Sequence, residues 1–168
     1  MPRLIKDGGI IDDSWRLISS DDIDACQPLS SKLILPLSLW LRLQPQFDGF
    51  ETTPGVWIEG NQELDVIDEL IPHMPLIAVR FSAIADGSGY STGSLLREVY
   101  GFGDELRAFG SLMIDQATYL RRCGYNAIAL DSGQQLEDAL QLLINAGLTY
   151  QGSVFSPRTP FKFRYGRK

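Results

Sequence analysis

The chain has 168 residues, of which 44% are hydrophobic and 21% charged, and this composition suits one globular domain with a buried core. The formal net charge is −6, but residues 158–168 hold five of the 15 basic side chains and no acid, so the rest of the chain sets ten bases against 21 acids, a charge of about −11. A body so acidic repels nucleic acid and excludes the basic face that nucleic-acid binding needs.

The N-terminal segment predicts a small hairpin. Alternating apolar residues flank Asp7-Gly8-Gly9, and a glycine turn of this kind joins two antiparallel strands. The segment lacks the apolar stretch of a signal peptide. Residues 20–31 contain acids, serines and Pro28, which indicate a connecting loop. We therefore expect residues 1–31 to form a hairpin-and-loop appendage.

From residue 32 the pattern alternates between short strand-like runs and longer helix-like ones. Strands are predicted at 32–37, 55–59, 75–81, 105–110, 126–130 and 149–155. Helices are predicted at 38–47, 61–70, 91–101, 114–124 and 132–147. This alternation indicates βαβ units, and about five units are too few for a closed eight-unit barrel, which takes about 250 residues. The predicted fold is an α/β domain with an open, doubly wound, mostly parallel sheet, the βα core covering 32–157 of a single domain at 1–168.

The loop after Phe81 is the leading candidate for a binding site. Ligands of open parallel sheets bind beyond the carboxyl ends of the strands, and this loop is long and rich in glycine. Gly87, Gly89 and Gly93 give the spacing GxGxxxG, which misses the dinucleotide pattern by one residue. The glycines would let a ligand approach the backbone, and the free amides at the start of the following helix would attract an anion. The alternative is a plain turn into a helix.

Two arginines are candidates for holding an oxyanion beside this loop. Arg80 and Arg107 lie near the ends of neighbouring predicted strands, and Arg forms bidentate contacts with anions. Ordinary ion pairs with nearby acids explain both arginines equally well. Ser91 or Thr92 is expected to cap the helix. The complete set of predicted ligand-binding residues is Arg80, Asp86, Gly87, Gly89, Tyr90, Ser91, Thr92 and Arg107.

Several kinds of chemistry find no motif in this sequence. Cys26 and Cys123 have no CxxC spacing, which argues against an iron–sulfur cluster, a zinc site or a disulfide framework, and no heme motif is present. The single His73 cannot build a multi-histidine metal site. Arg121 and Arg122 would lower the pKa of the Cys123 thiol, but with no histidine nearby we favour a buried structural cysteine. The catalytic residues and any cofactor stay unknown, and redox chemistry would need a borrowed cofactor.

Two further segments bear on whether the chain contacts a membrane or other copies of itself. The longest apolar run, 33–41, is broken by Pro36 and is far shorter than the roughly 20 residues of a membrane helix, so we expect a cytoplasmic protein with no membrane contact. The tail at 158–168 alternates aromatic and basic side chains, a pattern that can stack on single-stranded nucleic acid. Docking on an acidic surface of its own chain or of a neighbour is favoured over that, which leaves homo-oligomer formation open.

The order of motifs resembles a known family. The run "DGSGYSTGSLLREVYGFGDELRAFG" is followed by "DQATYLRRCGYNAIAL", and "LIKDGGIIDDSW", "LPLSLW" and "GVWIE" stand before them. Together they resemble the DUF934 family of small bacterial proteins. In that family the loop usually reads DGRGYS, whereas Ser88 stands here in place of the arginine, and Ser111 stands where an aspartate is usual.

The resemblance implies a setting in sulfur assimilation. Members of the family are commonly encoded beside the hemoprotein of assimilatory sulfite reductase and are often labelled as oxidoreductases on that basis. The implied function is an accessory or partner protein of sulfite reduction in cysteine biosynthesis, with the sulfite reductase hemoprotein as partner. The alternative is an oxidoreductase or small-molecule-binding protein that holds an anionic ligand at the Gly-rich loop. The sequence leaves open whether the chain is an enzyme, and the family offers no catalytic residues to carry over.

Overall fold

The computed structural model describes residues 2–19, 32–47, 53–131, 135–146 and 151–156, which form an α/β fold. The strands are β1 (Arg3–Lys6), β2 (Gly9–Asp12), β3 (Arg16–Leu17), β4 (Leu33–Pro36), β5 (Gly55–Glu59), β6 (Leu76–Phe81), β7 (Glu105–Gly110) and β8 (Ala127–Ile128). The helices are α1 (Leu37–Leu43), α2 (Ser88–Glu98), α3 (Ala117–Arg122) and α4 (Leu136–Asn145), with 3-10 turns at Gln44–Gln46, Asp68–His73 and Ile114–Gln116. Within these ranges no helix has the length and apolar character needed to cross a membrane.

All eight described strands form one mixed sheet. Their order is β2-β1-β8-β7-β6-β5-β4-β3. Neighbours from β3 to β8 run parallel, whereas β1 runs antiparallel to both β2 and β8. The predicted open, doubly wound and mostly parallel layout is not confirmed, because the sheet is mixed and the order from β3 to β8 follows the chain without a reversal. Sequence periodicity shows which residues form strands, but it does not show how the strands are ordered.

The sheet curls until its two edges meet. Only residues 13–15 separate β2 from β3, although these strands stand at opposite ends of the strand order. Eight flat strands about 4.8 Å apart would place the edges about 34 Å from each other, whereas the chain from Asp12 to Arg16 spans at most about 14 Å. The extended segment 9–18, which we call the closing segment, therefore pairs with β1 through its first half and with β4 through its second.

The N-terminal hairpin is confirmed, but it is not an appendage. Asp7 and Gly8 both have positive φ, at 48° and 81°, as a two-residue turn between twisted strands requires. Beyond the hairpin, β1 also pairs with β8, where Ile5 lies opposite Ile128. The turn can be predicted locally, whereas the second partner of β1 is more than 100 residues away and leaves no local signal.

Alternating side chains divide the core into two clusters on the two faces of the sheet. Val79 and Phe81 of β6 pack in the larger cluster, to which residues of the helices contribute. Ala78 belongs to the smaller cluster with Trp57, and Trp15 of the closing segment packs against it. Because the described helices contribute to the larger cluster and none of their residues belongs to the smaller one, the smaller cluster fills the inside of the curled sheet.

Two predicted elements differ from the structure within the described ranges. The helix expected at 61–70 is replaced by turns and the 3-10 segment Asp68–His73. The bonds from Ile67 N to Leu64 O and from Leu70 N to Ile67 O span three residues, and they bury the same apolar stripe without an α-helix. Residues 151–156 form only an isolated bridge between Ser153 and Ser156. The predicted loop at 20–31 and the basic tail at 158–168 lie outside the described residues.

Candidate functional site

The Gly-rich segment forms the start of α2, and a carboxylate of the chain itself occupies that start. Ser88 donates hydrogen bonds from its backbone N–H and its hydroxyl to Asp86 Oδ1, at 3.0 and 2.6 Å. Ser82 donates to Asp86 Oδ2 at 2.8 Å. The two bonds from Ser88, followed by the one from Ser82, lower the pKa of the Asp86 carboxyl. Asp86 thus supplies the negative charge that this helix start would otherwise attract from a ligand.

Two of the glycines allow α2 to approach the sheet. A Cβ placed on Gly89 would lie 2.5 Å from the ring of Phe81, and one on Gly93 would overlap the ring of Tyr125. The Tyr125 hydroxyl donates to Gly89 O at 2.6 Å. A Cβ placed on Gly87, by contrast, would meet nothing within 4 Å. Close packing therefore explains the glycines at 89 and 93, whereas the space around the α-carbon of Gly87 is open.

The other predicted residues of this segment lie within α2. Ser91 and Thr92 do not cap the helix, because it begins three residues earlier, at Ser88. The buried Thr92 instead donates its hydroxyl hydrogen to Gly60 O, which ties α2 to the end of β5. Tyr90 packs edge-on against Phe81, and burial is the main cause of its raised pKa. An offset of one helical turn in the predicted start accounts for the misplaced cap.

Arg80 lies at the carboxyl end of β6, from which the Gly-rich segment departs. Its side chain is 49% exposed and its Nη1 donates to Glu59 Oε1 at 3.0 Å, with Glu59 41% exposed. The guanidinium carbon lies 6.0 Å from the centroid of the Trp57 ring. Within the described part of the chain this is the one hydrogen bond of the Arg80 guanidinium, and the side chain is half exposed.

Arg107 lies inside the curled sheet, in what we call the inner ion network of Lys6, Asp13, Glu105 and Arg107. Its guanidinium donates to both carboxylate oxygens of Asp13, at 2.8 and 3.2 Å, and to Glu105 Oε1, at 2.9 and 2.6 Å. Lys6 Nζ donates to Glu105 Oε2 at 2.7 Å. Two cations and two carboxylates balance, and Asp13 brings the closing segment onto β7. The described ranges contain no group of three His, Cys, Asp or Glu side chains placed to hold a metal ion.

Arg80 and Arg107 therefore have different surroundings. The strand register sets Arg80 opposite Phe109 and Arg107 opposite Ala78, so the two arginines lie at different levels of the sheet. Arg107 is directed to Asp13 and Glu105, whereas Arg80 stays at the exposed edge. The sequence missed Asp13 as a partner, because it lies 94 residues from Arg107 and carries no motif.

An exposed apolar pair, unnoticed in the sequence, lies on the loops after β6 and β7. Ile84 is 55% exposed and Met113 44%. Gln116 joins the two loops, since its Nε2 donates to Ile84 O at 3.0 Å and its Oε1 accepts from Met113 N at 2.8 Å. We call Ile84 and Met113 the edge pair. The sequence signal that could have indicated this pair is Ile84, an isoleucine within a predicted loop.

Cys123 is a buried structural thiol, as the sequence favoured. Burial raises its pKa, and the opposing effects of the hydrogen bond with Ser94 and of the charge of Arg122 are smaller. Because the thiolate is the reactive form, we expect alkylation by iodoacetamide at pH 8 to be slower than for a free cysteine. The rate would be measured in a Cys26→Ser variant by mass spectrometry, with the same protein in urea as control. Equal rates with and without urea would contradict the burial.

Comparisons with known proteins identify one family. A family model described as "Bacterial protein of unknown function (DUF934)" matches residues 55–161, which include β5 to β8 and all of α2, α3 and α4. Among curated proteins and solved structures, none matches this chain significantly.

Proposed function

We propose that this chain, which belongs to the DUF934 family, is an accessory protein of assimilatory sulfite reduction that acts by contact with the sulfite reductase hemoprotein. The frequent position of such proteins beside the gene of that hemoprotein supports the setting. The observation that supports action by contact is the edge pair, because two large apolar side chains are exposed on loops that Gln116 fixes together. The proposal implies a cytoplasmic protein that serves cysteine biosynthesis.

The edge pair has the chemistry of an interface centre. Burial of the methionine and isoleucine side chains by a partner lowers the free energy of the complex. Loops that are already held by hydrogen bonds lose little conformational entropy on binding. The acidic charge of the chain favours a partner whose facing surface is basic and speeds the encounter. We expect apolar contact to provide affinity and charge to provide orientation.

Co-purification tests this proposal. A tagged chain is co-expressed with the sulfite reductase hemoprotein encoded in the same genome, and the association is measured on the purified partners by calorimetry. Ile84→Asp and Met113→Asp should each weaken binding about tenfold or more, equivalent to ~1.4 kcal/mol, because a charge is then placed against an apolar partner surface. Val66→Asp is the matched control, since Val66 is 67% exposed. Its neighbour Asp65 accepts from Tyr100, beyond the C-terminal end of α2, whereas Ile84 precedes the start of that helix.

Two results would contradict the proposal. One is failure of the unmodified chain to associate with the hemoprotein, together with unchanged growth on sulfite of a strain that lacks the gene. The other is equal loss of binding in the Val66→Asp control, which would show that the edge pair has no special part.

A second candidate function rests on Arg80. Its guanidinium is half exposed and makes one hydrogen bond to the described residues, so its other N–H groups can bind an oxyanion such as sulfite or the phosphate of a nucleotide or flavin. A ligand at 100 times its dissociation constant adds about 2.7 kcal/mol of stability. Thermal unfolding with sulfite, ATP, FMN and NADPH would detect it, and Arg80→Met should abolish the shift. A shift that persists in Arg80→Met would place the ligand elsewhere.

A further inference from the structure

A cavity of about 140 Å³ lies between the N-terminal hairpin, β8, α3 and α4, away from the edge pair and from Arg80. Its wall is apolar and is formed by Ile5, Ile128, Leu140 and Leu143. The first two are buried members of the larger core cluster, and the two leucines pack against it. Gly8 and the exposed Ile144 also line the cavity and form its rim. A ligand would therefore enter from solvent and meet an apolar interior.

One cation at this cavity has no charged partner among the described residues. Arg121 lines the cavity, and its guanidinium carbon lies 4.5 Å from the centroid of the Phe155 ring. Within the described ranges, no carboxylate forms an ion pair with Arg121 and no group accepts a hydrogen bond from the Arg121 guanidinium. A guanidinium carries five N–H donors, so Arg121 keeps the donors that a bidentate contact needs.

The two other side chains with polar atoms that line the cavity, Tyr125 and Asn126, are already engaged, and the Tyr125 hydroxyl donates to Gly89 O at 2.6 Å. Asn126 Oδ1 accepts from Arg97 Nη2 at 3.1 Å and from Leu106 N at 2.8 Å. Its Nδ2 donates to Asp7 Oδ1 at 3.2 Å. Asn126 therefore holds the wall in place, and Arg121 is the group available to bind a ligand.

Of the two arginines near this cavity, Arg121 is the one left to bind an anion. Arg97 lies close enough to Arg121 for their repulsion to contribute to the lowered pKa of Arg97, whose largest cause is burial. Both guanidinium groups flank the Phe155 ring, at 5.9 Å for Arg97 and 4.5 Å for Arg121. Asp104 and Asp7 each raise the pKa of Arg97 by more than Arg121 lowers it, so nearby carboxylates offset the charge of Arg97. Because Arg97 also uses its N–H groups on the backbone and on Asn126, a carboxylate would bind Arg121 and reduce the repulsion between the two cations.

We propose that this cavity binds a small monocarboxylate whose apolar part is a phenyl ring or a short branched chain, with the carboxylate on Arg121. The volume supports this size class, because an apolar protein cavity of about 150 Å³ accommodates benzene. The apolar part contacts the isoleucines and leucines, and the carboxylate forms two parallel hydrogen bonds with the guanidinium. The site is independent of the contact proposed for the edge pair.

Calorimetric titration of the full chain tests the proposal with benzoate and 3-methylbutanoate as probes and benzyl alcohol as the neutral analogue of benzoate. Benzoate should bind about tenfold more tightly than benzyl alcohol. Arg121→Met should remove this preference and leave the affinity for benzyl alcohol unchanged. Leu143→Trp, which fills the cavity, should abolish the binding of all three probes. Arg42→Met is the matched control, because Arg42 is exposed on α1 and should leave benzoate binding unchanged.

Three outcomes would overturn the proposal. Absence of binding by both carboxylates at millimolar concentration overturns the proposal, as does equal affinity for benzoate in Arg121→Met and the unmodified protein. Equal losses in Arg121→Met and Arg42→Met would show only a general effect of charge and would also overturn it. If Arg121→Met does not fold by circular dichroism, Arg121→Gln replaces it, and Leu143→Trp tests the cavity independently. Because the edge pair is unchanged in all these variants, failure here leaves the contact with the hemoprotein standing.

Discussion

Replacing Arg107 by methionine should lower the free energy of unfolding by about 3–5 kcal/mol, the usual cost of removing one partner from a buried ion pair. The side chains of Arg107 and Glu105 are 4% and 6% exposed, and that of Asp13 is 12% exposed. Without the guanidinium, Asp13 loses both of its hydrogen bonds from Arg107, and Glu105 keeps only Lys6. Two carboxylates would then repel each other inside the curled sheet, where water screens them poorly.

The same substitution at Arg80 is the control. Arg80 and Glu59 also form an Arg–carboxylate pair at 3.0 Å, but both side chains are largely exposed. Exposed pairs contribute about 0–1 kcal/mol, so Arg80→Met should unfold at nearly the same urea concentration as the unmodified protein. Urea titrations followed by circular dichroism would measure both variants. Equal stabilities of Arg107→Met and Arg80→Met would show that the inner ion network does not hold the closing segment.

Replacing Gly93 by alanine should lower the free energy of unfolding by about 2 kcal/mol. The added Cβ would overlap the ring of Tyr125, which is fully buried and bonded through its hydroxyl to Gly89 O, and would also lie 3.0 Å from Cys123 O. Because the ring cannot turn away, α2 must move from the sheet at the upper end of the usual cost of overpacking, about 1–3 kcal/mol. The helix propensity of alanine returns about 1 kcal/mol.

Gly87→Ala is the matched control for that change. Gly87 precedes α2, has a φ of −83° and has open space around its α-carbon. Alanine there fits the backbone and restricts the unfolded chain, so we expect no loss and a gain of up to about 1 kcal/mol. Thermal and urea unfolding of both variants would measure the difference. Destabilisation by Gly87→Ala equal to that by Gly93→Ala would contradict the role of close packing under α2.

Several strands of the fold were readable in the sequence because strong local signals bound them, whereas β3 was not predicted as a strand. The predicted strands at 55–59 and 105–110 coincide with β5 and β7, and the strand at 75–81 differs from β6 by one residue. Runs rich in β-branched and aromatic side chains indicate the strands at 55–59 and 75–81, and the strand at 105–110 is a short run that ends at a glycine. Local patterns of this kind do not state which strands are neighbours, so the joined edges of the sheet could not be foreseen.

The candidate site was only partly readable for the same reason. The Gly-rich segment was identified from spacing, but the demand for glycine at Gly89 and Gly93 comes from the rings of Phe81 and Tyr125, which lie outside that segment and meet it only in the folded chain. The ion pair of Arg80 with Glu59 agrees with the expected alternative of an ordinary ion pair, since the two residues lie opposite each other at the carboxyl ends of neighbouring strands. Arg107 required knowledge of the closing segment, because its partner Asp13 reaches it only after the sheet curls.

The pairing of β1 with β8 also delays the completion of the sheet during biosynthesis. Ile5 lies opposite Ile128, so β1 leaves the ribosome before a partner that is made about 120 residues later. At ~5–20 residues per second the delay is on the order of ten seconds. A two-stranded hairpin is marginally stable at best in water, and during that interval the hairpin of β1 and β2 lacks the neighbouring strand β8. The nascent chain therefore cannot complete its sheet until β8 has emerged, and β1 is among the last strands to reach its final pairing.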